Sequence, residues 1–131
     1  MTLFEAYDHL LDAVAALFTV IPEEGEPFCS LAVMDNLVEK PKSFPCVVVE
    51  MESSRLQSFS DGSSLSGEHE FTLWVLCAYQ TSFRNSREAL VEIAEKLLSI
   101  PRFYATEKLE YGVDVVFDTR CVVAKLSGRV A

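Results

Sequence analysis

Apolar residues recur at Leu3, Tyr7, Leu10, Leu11, Val14, Leu17 and Phe18, the spacing of one face of an α-helix. Thr2 stands where it can cap that helix, and Glu5 follows three residues later to complete a capping box. Pro22 predicts an end near Phe18–Val20, because the backbone before a proline is driven out of the helical region. A second helical stripe, Leu90, Ile93, Ala94, Leu97 and Leu98, predicts a helix from Ser86 to about Ile100. Asn85 is its expected cap with Glu88 three residues on, Glu92 and Lys96 form an i,i+4 pair, and Pro101 ends it.

Between the helices the period changes to two. Phe44–Glu52 reads as a strand, and its consecutive Val47, Val48 and Val49 indicate cover on both faces. Glu68–Tyr79 reads as a central strand: Phe71, Leu73, Val75, Cys77 and Tyr79 share one face, and Thr72, Trp74, Leu76 and Ala78 the other. The two are expected to pair antiparallel as a long hairpin. The connection Ser53–Gly67 holds seven serines, two glycines and Asp61, with Leu56, Phe59 and Leu65 as isolated apolar residues. Such a composition cannot bury itself, so a long mobile loop is expected. After the second helix, Arg102–Gly112 reads as a connection, with a short strand within it as the alternative. Val113–Phe117 and Arg120–Leu126 read as two strands about a tight turn at Asp118-Thr119, and Ser127–Ala131 as a polar extended tail. Cys29–Glu39 fits two templates, a strand through Leu31 and Val33 or a helix through Leu31, Met34, Leu37 and Val38. The pattern shows no repeat and no second domain, so residues 1–131 are expected to form one α+β domain. Its mostly antiparallel sheet packs against two main helices and carries a long flexible hairpin.

Composition narrows the classes of function. The net charge is −9, and the 11 Lys and Arg are scattered without a basic run, which disfavours binding to nucleic acid. Met1–Leu3 lack a basic start, and Glu5 and Asp8 interrupt the first apolar stretch, which argues against a secretion signal. No apolar run approaches the ~20 residues that span a bilayer, so neither membrane insertion nor a membrane partner is expected. A cytoplasmic protein is expected. Cys29, Cys46, Cys77 and Cys121 have no metal-binding spacing, and three of them sit in apolar runs that suit buried thiols.

Candidate chemistry is sparse. Glu23, Glu24 and Glu26 about Gly25 lack the spacing of a calcium loop and read as a solvated turn. Glu50 and Glu52 share a strand face with no adjacent His, Lys or third acid, so alternation explains them. His9 and His69 belong to no zinc, haem or nucleophile signature, and no glycine-rich phosphate loop is present. No catalytic, cofactor-binding or metal-binding residue is assigned. Trp74, within the most apolar strand, reads as core. Phe103-Tyr104 is the better candidate for an exposed aromatic contact.

The order of elements, with Phe44-Pro45-Cys46-Val47-Val48-Val49, then Glu70-Phe71-Thr72-Leu73-Trp74-Val75-Leu76, then Ser86–Leu98, resembles the tail terminator and tail completion proteins of long-tailed bacteriophages. The resemblance is one of arrangement and spans most of the chain. It implies a sheet packed against helices, and subunits that assemble into a ring, typically a hexamer, at the head-proximal end of the tail tube. It also implies contact with the tail tube protein and the head-tail connector, no enzymatic activity, no cofactor, and a place in the virion tail after assembly in the bacterial host. On that basis Leu56, Phe59, Asp61, Leu65, Phe103 and Tyr104 are the expected partner-binding residues. The alternative is a generic α+β module that binds a protein or small ligand through its sheet.

Overall fold

The computed structural model describes residues 1–18, 45–56, 67–79 and 83–131. The readings of Ile21–Phe28 as a turn, of Cys29–Glu39, and of mobility around Phe59, Asp61 and Leu65 lie outside them. The elements run α1 (Leu3–Phe18), β1 (Cys46–Leu56), β2 (Gly67–Ala78), α2 (Phe83–Leu97), β3 (Phe103–Val116) and β4 (Thr119–Val130). The strands form one antiparallel sheet in the order β1-β2-β4-β3. The fold is α+β, as the alternating periods predict.

α1 begins where its cap is written: the Glu5 amide donates to Thr2 Oγ1 at 3.2 Å. Ala6, Leu10 and Val14 are fully buried, and Leu3, Tyr7, Leu11 and Leu17 pack around them. α2 starts at Phe83, two residues before the expected cap, so Asn85 lies inside the helix. Leu90, Ile93, Ala94 and Leu97 form its buried stripe, whereas Leu98, expected to join them, is 49% exposed in the turn that follows. Arg84 and Glu88 form an i,i+4 ion pair, and both side chains are solvated enough that it adds little.

β2 is internal, which accounts for its two apolar faces. Cys46 pairs with Leu76 and Met51 with Phe71. The register then shifts at Glu52, so that Ser53 faces Glu70 and Ser54 faces His69. This bulge exchanges the faces of the following residues. The strands continue through Ser53–Leu56 and resume at Gly67, which shortens the expected loop at both ends.

β3 and β4 are longer than their local pattern indicates. Arg102–Gly112 is strand from Phe103 onward, and Ser127–Ala131 is strand as far as Val130, which is fully buried. The turn between them falls at Phe117-Asp118, one residue before the expected pair, closed by Val116 opposite Thr119. Both turn residues have positive φ, 46° and 65°, the signature of a type I′ turn whose twist matches the strands.

Both helices lie on one face of the sheet. Between them and the sheet sits the main core, with Val47, Val49, Phe71, Leu73, Val75, Val122, Ala124 and Leu126 beneath Leu10, Val14, Leu90, Ile93 and Leu97. The opposite face carries a second cluster of Cys46, Val48, Leu76, Val116, Cys121 and Val123, with Trp74 packed against it.

Candidate functional site

Several titratable side chains of the described residues are engaged in structural bonds. His69 is buried on the helix side of β2, where its Nε2–H donates to the Met1 carbonyl at 3.0 Å and Nδ1 accepts from the Ser54 hydroxyl at 2.7 Å. The bulge at Glu52 brings Ser54 to that position. The Gly67 amide also donates to the Met1 carbonyl, so the start of α1 is tied to the sheet by two bonds. His9 Nε2–H donates to the Pro101 carbonyl at 2.6 Å and joins α1 to the turn after α2.

On the opposite face, Glu50 accepts from Trp74 Nε1 at 2.7 Å and Glu52 accepts from the Thr72 hydroxyl at 2.8 Å. Glu52 is exposed and Glu50 half-buried, and each carboxylate is held by a side chain of β2. Trp74 is half-buried, with the Lys125 ammonium 5.4 Å from its ring centroid. It lines a cavity of ≈ 240 Å³ with Val48, Glu50, Leu76, Asp114, Val116 and Val123. Cys46, Cys77 and Cys121 are buried and unbridged. Burial pushes the Cys121 thiol up from its ordinary value and the Asp114 charge adds to this, so it is a poor nucleophile at neutral pH. Among the described residues, no group of three or more His, Cys, Asp or Glu is placed to hold a metal ion, and no helix is long and apolar enough to cross a membrane.

The expected contact residues are distributed differently. Phe103, read as an exposed contact, is only 6% exposed and packs in the main core. Its ring is admitted by Gly128, where any Cβ would overlap it. Tyr104 points to the other face and is 55% exposed. Leu56 ends β1 opposite Gly67.

The exposed apolar surface lies largely elsewhere. Tyr111, Val113 and Val115 alternate along the helix-side face of β3 at 42%, 47% and 64% exposure. The reason is lateral. Among the described residues, α2 packs mainly on β2 and β4 and α1 on β1 and β2, and neither covers Tyr111, Val113 and Val115. Arg87 of α2 reaches out over the Tyr111 ring, 5.2 Å from its centroid. Phe4 on α1 is 68% exposed. Two local signals bear on these residues. Phe4 falls off the α1 stripe, whereas Val113 and Val115 alternate as core residues do.

No protein-family model matches this chain, and no curated protein matches it. Among solved structures, it aligns with a chain from a particle described as "Virion of native gene transfer agent (GTA) particle". The alignment covers 98% of this chain and 94% of the other at 18% identity, with a TM-score of 0.38. A likeness at that score is too distant to argue from.

Proposed function

We propose that this chain is a structural subunit of a phage-like tail, and that it acts by contact: copies assemble into a ring that caps the tail tube and joins it to the head. The observation that supports this is the pair of sheet edges: among the described residues, β1 and β3 each have a strand on one side only, and β3 is a fourteen-residue strand with apolar side chains in solvent. A ring requires two different patches on each subunit, and a sheet with two unlike edges supplies them. The element order that resembles the tail terminators points the same way. The connection Ser53–Gly67, with Leu56, Phe59, Asp61 and Leu65, is the proposed contact with the tube, and Tyr104 is a further proposed contact residue.

The test is to add the purified chain to polymerising tail tube subunits of a long-tailed phage and to measure tube lengths by electron microscopy. Shortened tubes bearing a ring at one end are expected, and loss of this effect on deleting 59–66 while the far-ultraviolet dichroism is kept. Tubes of unaltered length in the presence of the intact chain would refute the proposal. The cavity beside Trp74 favours a second reading, a small-ligand module. Quenching of the single tryptophan by a screened ligand, without tube capping, would establish that instead.

A further inference from the structure

The direction of the bond between Ser54 and His69 is fixed by the atoms around it. The Met1 carbonyl can only accept, so its 3.0 Å contact with His69 Nε2 requires the ring proton on that nitrogen. In the neutral ring Nδ1 is then a bare acceptor, and the Ser54 hydroxyl, 2.7 Å away, must donate to it. The imidazole is fully buried and bonded at both nitrogens, and the Met1 carbonyl that orients it is itself held by the Gly67 amide. Ser54, in contrast, is exposed among the described residues. A hydroxyl within hydrogen-bond reach of a base, with the base oriented by a third group, is the arrangement of an activated nucleophile. Here a backbone carbonyl takes the orienting place that a carboxylate holds in the Ser-His-Asp triad.

The bulge at Glu52 selects the serine. With unbroken alternation Ser53 would stand opposite His69. The extra residue puts Ser54 there and turns Ser53 to the other face, opposite Glu70. The Ser53 hydroxyl donates to Glu70 Oε2 at 3.0 Å. Two neighbouring serines, both exposed, thus direct their protons at different bases. An imidazole is a stronger base than a carboxylate, so the hydroxyl of Ser54 is the better prepared to lose its proton. Ser53 is the built-in control: the same residue type, one position away on the same strand, without the imidazole.

We infer that Ser54 is a nucleophile with His69 as its general base, and that it accepts the acyl group of carboxylic esters whose leaving group departs readily. Ser54 Oγ attacks the ester carbonyl carbon and its proton passes to His69 Nδ1. The bond from that carbon to the leaving oxygen breaks, the leaving group takes the proton, and Ser54 is left acylated. Water then attacks the acyl carbon and gives a proton to Nδ1. The carboxylic acid is released and the proton returns to Ser54 Oγ. The net change is hydrolysis of one ester bond, with no oxidant, reductant or metal in the balance. A positioned general base contributes about 10²–10⁴-fold, which serves phenyl esters and not amides, whose leaving groups do not depart unaided. The activity stands apart from the ring reading, since it needs neither a second copy nor a tube.

The test treats the intact chain with a fluorophosphonate and sequences the modified peptide by tandem mass spectrometry. A single adduct on Ser54 is expected, formed as its oxygen displaces fluoride from phosphorus, with Ser53 unmodified. With 4-nitrophenyl acetate, a burst of nitrophenolate is expected, followed by slower turnover, and acetyl-Ser54 is expected in the trapped chain. Ser54→Ala is expected to abolish the adduct and the burst. His69→Gln keeps a donor for the Met1 carbonyl and has no basic nitrogen, and is expected to slow both reactions by about 100-fold or more while the far-ultraviolet dichroism is kept. His69→Asn takes its place if the glutamine variant does not fold, and the choice of Ser54 over Ser53 in the intact chain needs no variant. No adduct in the intact chain, labelling of Ser53 as readily as Ser54, or an unchanged rate in a folded His69→Gln would each overturn the inference.

Discussion

Gly128→Ala probes the packing that keeps Phe103 inside. Gly128 lies in β4 between Phe71 of β2 and Ala105 of β3. A Cβ added there falls 2.5 Å from Phe103 Cε2 and 3.0 Å from the Tyr104 carbonyl oxygen. Both are inside ordinary van der Waals contact. The ring can swing aside only by leaving a core in which it is 6% exposed, and the carbonyl belongs to a strand held by its ladder. Overpacking of this kind costs about 1–3 kcal/mol, and the backbone contact places this case near the upper end. For a chain of this size that corresponds to a melting temperature lower by roughly 10 °C. Urea unfolding followed by far-ultraviolet dichroism measures the loss. A double-mutant cycle identifies its origin: on a Phe103→Leu background, Gly128→Ala is expected to cost less than half as much, because the clashing ring atoms are gone. Equal cost on both backgrounds, or no cost in the parent, would refute the assignment of Gly128 as the slot for this ring.

His69→Ala removes the bonds to Met1 and Ser54 and leaves a void, and is expected to cost about 2–4 kcal/mol while accelerating amide exchange in the first turn of α1. Unchanged protection there would show that His69 does not pin the helix. Cys121 is expected to react with iodoacetamide far more slowly than a free thiol at pH 8. Its folded pKa is raised above the ordinary value of 9.0, so its contribution to stability is complete below that value and is lost as pH rises through the folded pKa. Chemical denaturation at pH 8 and pH 10.5 should therefore show a smaller alkaline loss in Cys121→Ala than in the parent, and an equal loss would contradict the shift.

Features carried by neighbouring residues could be read from the chain alone. The Thr2 cap, the α1 stripe and the two apolar faces of β2 follow from spacings of two to four residues, which set the side chains that share a face before any tertiary contact exists, and the antiparallel pairing of β1 with β2 follows from the hairpin connection between them. The start of α2 at Phe83 was not legible, because Asn85 is as good a local cap as any in this stretch of sequence. Phe103–Gly112 has too few apolar positions to declare itself a strand, and it is one because β4 offers hydrogen bonds from residues some twenty positions away. Ser127–Val130 is polar to the eye, yet Gly128 is there for a ring that precedes it by twenty-five residues. Val113 and Val115 alternate like core residues, and Phe103 begins a run that reads as surface. Among the described residues the helices leave Val113 and Val115 uncovered, whereas the start of the same strand brings the Phe103 ring over Gly128 into the core. A periodicity tells which residues lie on one face of an element. Whether that face meets another layer or water is decided by the lateral reach of elements distant in the chain, and the candidate contact surface of this protein exists at the strand where that reach ends.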